Sequence, residues 1–235
     1  MDAANTGRRR IGLIDIVRGL TIVGMVVFHL LFDIVAFLDA PSWIVRHPLI
    51  LAVRDAGAGL FILLAGTNAA VTRRGWMHCL TLAACALGVT ATTYIFNPKM
   101  ADVFGVLHFY AAAIAIYLPF RQLLARVPKA LRFALFGAAF AVTYILLPIT
   151  VQVPFLFMFG LPDAAFFSSD YYPLLPWLFV FLAGTTLGEI IFRRKLPEFF
   201  YTRAWAPVRF VSRHSLIIYL AHQPLIMLAI MPFAK

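Results

Sequence analysis

Residues Ile11 to Leu38 read IGLIDIVRGLTIVGMVVFHLLFDIVAFL. A membrane-spanning helix needs about 20 predominantly apolar residues, so this stretch is long enough to cross a bilayer. It nevertheless contains Asp15, Arg18, His29 and Asp33. At about 100° per residue, all four fall on one narrow stripe of a helix. Charged groups at membrane depth usually face a bundle interior or a water-filled cavity, so the stripe predicts a helix that lines a functional site.

The rest of the chain has the composition of a membrane protein. Of its 235 residues, 63% are hydrophobic and only 13% are charged, which is too little polar surface to cover a soluble globule. We therefore predict an all-α fold, a polytopic transmembrane helix bundle of about seven spans in a single domain over residues 1–235. The apolar runs place these spans near 11–38, 48–72, 76–96, 103–121, 131–151, 173–192 and 211–232.

The cationic residues predict the orientation. The net charge is +10, but the Lys and Arg residues are scattered between apolar runs, which argues against nucleic-acid binding. With the N-terminus inside and the C-terminus outside, the inside segments hold fifteen of the twenty, as the positive-inside rule requires: Arg8, Arg9, Arg10, Arg73, Arg74, Arg121, Arg126, Lys129, Arg132, Arg193, Arg194, Lys195, Arg203, Arg209 and Arg213. The outside segments keep Arg46, Lys99 and Lys235.

Imidazole and carboxylate groups are predicted on the outer side. Asp33 lies one helical turn after His29, where its carboxylate would fix the imidazole tautomer and make the ring a better base. A structural histidine–aspartate hydrogen bond has the same spacing, so both interpretations stay open. His108 and His222 lie on other inward-facing stripes.

Two further outer features are less specific. Arg54 and Asp55 lie in the second span, and Gly59 on the face of Asp55 predicts that this face packs inward. The same two charges are equally consistent with an ion pair that holds the bundle together. The longest outside loop ends in Asp170 and Tyr171, shortly before Trp177.

The inner side carries a mixed polar set bordered by cations. Such a set suits an anionic cytosolic ligand, for example a phosphorylated carrier. Its members are Asp15, Arg18, Asn68, Glu189, Arg213, His214 and Ser215.

Four short motifs occur in order along the chain. They are Asp15-Ile-Val-Arg18-Gly19 with His29 and Asp33, then Phe104-Gly-Val-Leu-His108-Phe109, then Asp170-Tyr-Tyr-Pro-Leu-Leu-Pro-Trp177, and Arg213-His-Ser-Leu-Ile-Ile-Tyr-Leu-Ala-His-Gln-Pro224. Together they resemble the bacterial members of the heparan-α-glucosaminide N-acetyltransferase catalytic-domain family. The first helix is also similar, more distantly, to that of the acyltransferase-3 membrane proteins.

The resemblance implies a multi-pass enzyme of the bacterial inner membrane that moves an acyl group, expected to be acetyl, from cytosolic acyl-CoA to a sugar or glycan on the far side. We expect His29 to act as general base with Asp33 orienting it, and His108 and His222 to position the acceptor or the thioester carbonyl. The expected acyl-CoA-binding residues are Asp15, Arg18, Asn68, Arg213, His214 and Ser215. On the acceptor side we expect Arg54, Asp55, Asp170, Tyr171 and Trp177, and no metal.

Other functions fit the same residues. The polar stripes are also consistent with a small-molecule or proton-coupled transporter or binding protein without covalent chemistry. Inward-facing histidines are compatible with haem ligation if two of them lie at matching depth on facing helices. The sequence leaves open the choice between direct transfer and an acyl-histidine intermediate, the acceptor, the acyl length and assembly into a homo-oligomer.

Overall fold

The computed structural model describes residues 10–98, 101–147, 149–151, 153, 155–168 and 170–234. Arg8, Arg9, Lys99 and Lys235, which contributed to the predicted orientation, lie outside this part of the chain. Over the described ranges the regular structure is helical, and no strand occurs in them.

Within the described ranges, seven helices are long and apolar enough to cross a membrane, which confirms the all-α polytopic fold. They are α1 (Gly12–Phe37), α3 (Pro48–Val71), α4 (Gly75–Phe96), α5 (Val106–Arg126), α6 (Lys129–Leu146), α7 (Leu174–Ile191) and α9 (Ser215–Ile230), the last prolonged by a 3₁₀ turn, Met231–Phe233. The shorter α2 (Trp43–Arg46) and α8 (Ala206–Arg213) lie between spans, as do 3₁₀ turns at Leu156–Phe159 and Glu198–Tyr201.

Several predicted boundaries differ from the structure, among them the end of α5, at Arg126 instead of residue 121. Helix α5 begins at Val106 instead of residue 103, because Phe104 has a left-handed backbone (φ 62°) and cannot belong to a helix. Helix α6 ends at Leu146 instead of residue 151, two residues before a proline in the sequence, where helical geometry is disfavoured. The predicted span 211–232 is interrupted at His214 (φ −105°, ψ 22°), so Arg213 ends the separate helix α8.

The chain divides into two compact units, one formed by residues 1–61 with 195–235 and the other by residues 62–194. In the first unit, α8 and α9 pack against α1. Two glycines of α1 make this possible, because a Cβ at Gly12 would overlap the carbonyl of Thr202 and one at Gly19 would meet Val208. The first half of α1 is therefore in close backbone contact with the segment that precedes α9.

In the second unit, α4 packs on α5, α6 on α7, and α5 on α7. The core is aromatic: Phe109 and Tyr117 of α5 both make edge contacts with Phe181 of α7. The end of α3 approaches α7 closely, since a Cβ at Gly66 would overlap the carbonyl of Phe181. Small residues allow membrane helices to approach each other this closely.

Candidate functional site

His29 and His222 face each other in the first unit. Their ring centroids are 5.0 Å apart in an edge-to-face arrangement, His29 half-buried and His222 buried. The Nδ1 of His222 lies 2.6 Å from the carbonyl oxygen of Tyr219. A carbonyl can only accept, so Nδ1 carries a proton, and in the neutral ring Nε2 keeps the lone pair. The helix itself thus sets the tautomer of His222.

Asp33 is buried next to this histidine pair. The side-chain amide of Gln223 donates to its carboxylate over 2.8 Å. Among the described residues, the hydrogen bond to Asp33 comes from Gln223 and not from His29, although His29 still interacts with Asp33 electrostatically. The amide oxygen of Gln223 is buried and has no hydrogen-bond partner in the described part of the chain. The cluster therefore contains two imidazoles, a carboxylate and an unsatisfied acceptor.

Arg54 and Asp55 form an ion pair with each other, Nε to Oδ1, at 2.7 Å. The sequence predicts that Asp55 packs inward, but its side chain is 51% exposed. The guanidinium of Arg54 also lies 5.5 Å from the ring centroid of Phe28, at cation–π distance. Because Phe28 precedes His29, this contact ties the start of α3 to the histidine region of α1.

The other end of α1 carries a separate ionic site. Asp15 is buried and accepts hydrogen bonds from Arg10 Nη2 at 2.8 Å and from the hydroxyl of Ser212 at 3.0 Å. The hydrogen bonds to Asp15 raise the pKa of Arg10 above its ordinary value. Arg18, one turn further along, adds a second positive charge near the carboxylate. Asp15 thus anchors the end of α8 to α1.

The residues that join α8 to α9 lie at the helix break. Arg213 is exposed at the end of α8, and Ser215 is the first residue of α9. Between them, Nδ1 of His214 donates to the carbonyl oxygen of Phe210 at 2.9 Å. The same carbonyl also accepts the backbone N–H of His214 at 3.1 Å, so the imidazole adds a second hydrogen bond at the break.

His108 lies at the start of α5 in the second unit. Thr90 donates its only hydroxyl proton to the carbonyl of Asp102 at 2.6 Å, and the same hydroxyl oxygen lies 3.1 Å from Nε2 of His108. Nε2 is therefore the protonated nitrogen of His108, and Nδ1 keeps the lone pair. The ring stacks on Phe104 at 6.0 Å. His108 and His222 thus have opposite tautomers.

The loop before α5 is held to the loop before α7. Ser168 accepts from the backbone N–H of Val103 at 2.9 Å and donates to Asp102 at 3.3 Å, while Asp170 accepts from Val106 N–H at 3.3 Å. Burial of Asp102, together with the nearby negative charge of Asp170, raises the pKa of Asp102 to about 8. At neutral pH Asp102 therefore retains a proton.

Two aromatic residues support these loops. The hydroxyl of Tyr171 donates to the carbonyl of Phe157 at 2.5 Å, and burial raises the pKa of Tyr171 to about 12. Trp177 of α7 contacts Tyr172 at 5.9 Å and Phe140 at 6.2 Å between ring centroids. Both predicted acceptor-side aromatics are thus integrated into the packing of the second unit.

A buried ion pair lies at the opposite end of the second unit. Arg132 is 2% exposed and donates two hydrogen bonds, of 3.0 and 2.8 Å, to Glu189. The sequence counts Arg132 as a loop cation, yet it lies in the first turn of α6 and is neutralised by α7. Asn68, predicted to bind the donor, is half-buried in α3, where its backbone carbonyl accepts from Thr72 at 2.8 Å.

Comparison with known proteins identifies the family. The family model described as heparan-alpha-glucosaminide N-acetyltransferase, catalytic, matches residues 10–224. The chain belongs to this family. No curated protein and no solved structure shows significant similarity to it. The match covers all seven spans except the end of α9, so the predicted membership of an acetyltransferase family and the multi-pass membrane fold are both confirmed.

Three residues of this acetyltransferase-family chain make contacts that the sequence motifs do not assign. Gln223 binds Asp33, Ser212 binds Asp15, and Asp102 joins the loops beside His108. Gln223 directly follows a predicted site histidine, which is a weak signal. The partners of Ser212 and Asp102 are distant in sequence, and no helical spacing pattern links either residue to its partner.

The described residues contain no group of three or more His, Cys, Asp or Glu side chains placed to hold a metal ion. The two cysteines, Cys79 and Cys85, are free thiols, and Cys79 lies 3.2 Å from the carbonyl oxygen of Ala111.

Proposed function

We propose that the chain is a transmembrane acyltransferase that moves an acyl group, in the first instance acetyl, from cytosolic acyl-CoA to a sugar or glycan acceptor on the outer side of the bacterial inner membrane. The observation that carries the proposal is the cluster of His29, His222, Asp33 and Gln223 inside membrane-spanning helices of an acetyltransferase-family chain. Ionisable groups at this depth are expensive to bury and are usually functional.

In the proposed step, His29 acts as general base. The acceptor hydroxyl or amine attacks the thioester carbonyl, its proton passes to the imidazole of His29, and the C–S bond breaks when the tetrahedral intermediate collapses. The proton then passes to the leaving thiolate, which departs as CoA–SH. The unsatisfied amide oxygen of Gln223 can accept a hydrogen bond from an N–H or O–H group of the sugar or glycan, and His222 is proposed to position that substrate beside it. Asp33 stabilises the imidazolium that forms.

The donor is proposed to bind at the N-terminal end of α1. Arg18 and Arg213 supply positive charge for the CoA phosphates, while His214 and Ser215 supply polar contacts. Asp15 holds the end of α8 in place for this role. From Arg18 to His29 the helix rises about 16 Å, a length comparable to the pantetheine arm.

The second unit is proposed to serve the acceptor. His108 has its Nδ1 lone pair available to bind a hydroxyl group, and its orientation is fixed by Thr90. Asp170, Tyr171 and Trp177 belong to the same end of this unit. Arg54 and Asp55, which belong to the first unit, keep their predicted acceptor-side role as a separate proposal. Aromatic faces next to carboxylates suit the apolar faces and hydroxyls of a sugar.

Two measurements on the purified chain test the proposal. Acetyl-CoA should raise the thermal unfolding temperature, and radiolabelled acetyl should pass to the acceptor at a rate that His29→Ala and Asp33→Ala sharply reduce. A transporter or binding protein would show no acetyl-CoA stabilisation and no covalent transfer. Label retained on the protein without acceptor would identify an acyl-histidine intermediate instead of direct transfer. Wild-type rates in both variants would contradict the catalytic assignment.

A further inference from the structure

The segment between α7 and α9 combines a packed face with an exposed cationic and aromatic one. Val208 and Ser212 lie one helical turn apart in α8 and contact α1 at Gly19 and Asp15. Phe210 lies about 160° around the helix from Val208 and is 60% exposed. Trp205, directly before α8, is 77% exposed. The exposed aromatic side chain of α8, Phe210, therefore lies on the face opposite to the one that packs against α1.

The depth of α8 follows from its contacts with α1. A 26-residue helix is about 39 Å long, whereas the hydrocarbon core of a bilayer is about 30 Å thick. The ends of α1 must therefore reach the headgroup layer, and Gly12 to Gly19 form one of those ends. Since Thr202 and Val208 touch this part of α1, α8 lies at the boundary between headgroups and acyl chains. This placement holds whichever side of the membrane the segment occupies.

The positive charge of this segment indicates what it binds. The segment from Lys195 to Arg213 contains the cations Lys195, Arg203, Arg209 and Arg213 against a single acid, Glu198. Basic residues beside exposed Trp and Phe are the composition of interfacial segments that bind anionic lipid surfaces. Phe199, 60% exposed in the preceding 3₁₀ turn, is a third exposed aromatic residue of the segment.

We propose that residues 199–210 form a binding surface for anionic phospholipid, with Trp205 and Phe210 inserted at the acyl-chain boundary and Arg203 and Arg209 contacting headgroup phosphates. Arg213 is left out of this assignment because it is placed on the donor side. The surface is independent of acyl transfer, so it can exist whether or not the proposed function is correct.

The test uses the full chain in vesicles that contain brominated phosphatidylglycerol or brominated phosphatidylcholine at equal mole fraction. Bromine quenches nearby tryptophan, and the signal of Trp205 is the part that the Trp205→Phe variant removes. We expect quenching of Trp205 to be about twofold stronger with phosphatidylglycerol, and salt to weaken this preference because exposed charges are screened. Equal quenching by the two lipids would overturn the proposal.

Matched variants separate lipid binding from other causes. Arg203→Gln with Arg209→Gln should abolish the preference, and the double lysine variant should keep it. Arg46→Gln is the control, since Arg46 is an exposed arginine near an exposed tryptophan, Trp43, on the short helix α2. A preference that survives the double glutamine variant would contradict the proposal. A preference that millimolar inorganic phosphate removes would indicate a free-anion site and would also contradict it.

Discussion

The side-chain amide of Gln223 donates a 2.8 Å hydrogen bond to the buried carboxylate of Asp33 and so joins α9 to α1. Gln223→Leu removes the donor and leaves the carboxylate in an apolar environment, so the free energy of unfolding should fall by about 1–3 kcal/mol. The double variant Asp33→Leu, Gln223→Leu should recover part of this loss. Chemical unfolding in detergent measures both, and strictly additive effects would contradict the coupling.

Asp102, in the loop before α5, should make the stability of the second unit depend on pH. The pKa of Asp102 is raised to about 8 in the folded state, whereas an unfolded carboxyl titrates near 4, so the folded state binds more protons between these values. Stability should therefore fall as the pH rises from about 5 towards 8.

Asp102→Asn imitates the protonated carboxyl and should remove this slope, as thermal unfolding across that pH range would show. Asp163→Asn is the matched control, because Asp163 is an exposed acid in the loop before α7. The pH assignment to Asp102 would be wrong if the Asp102→Asn variant kept the full wild-type slope.

Hydropathy and length predict the seven spans because a bilayer imposes a minimum apolar run on every crossing helix. Boundaries were missed where loop geometry decides them, as at Phe104, whose left-handed backbone delays α5. The polar stripe of α1 correctly indicates buried charge at Asp15 and Asp33. The partners of that charge could not be predicted, because Gln223 and Ser212 come from segments about 190 residues away.

Counting the cations of the loops to predict orientation also fails where a cation is paired in the fold. Arg132 contributes to the predicted orientation as a loop cation, yet the structure buries it against Glu189, a pairing between helices that no spacing rule supplies. The exposed pair Arg54–Asp55 consists of adjacent residues, so its formation could be anticipated from the sequence.

Arg132 and Arg54 therefore offer a comparison between buried and exposed ion pairs. Glu189→Gln leaves the buried guanidinium of Arg132 without its counter-charge, and the free energy of unfolding should drop by about 3–5 kcal/mol. Asp55→Asn, which breaks the exposed pair, should change it by about 1 kcal/mol or less. The burial of Arg132 would be contradicted if both substitutions had the same small effect on unfolding in detergent.

The close approach of α3 to α7 makes Gly66 intolerant of a side chain. Gly66→Ala places a methyl group against the carbonyl of Phe181 and should destabilise the second unit by about 1–3 kcal/mol through overpacking. Gly88→Ala, in α4, is the control, because nothing lies within 4 Å of its new Cβ. Thermal unfolding should separate the two variants, and equal unfolding temperatures would argue against the packing of α3 on α7.

His29 and His47 provide the most direct test of the proposed acyl transfer. His47 is exposed, and its Nδ1 accepts the backbone N–H of Leu49 at 3.2 Å, a structural contact at the start of α3. The decisive measurement is the initial rate of transfer from radiolabelled acetyl-CoA in everted membrane vesicles that carry the native acceptor. His29→Ala should lower this rate by about 100-fold or more, the usual effect of losing a general base. His47→Ala should leave it close to the wild-type value. A wild-type rate in the His29→Ala vesicles would contradict the account.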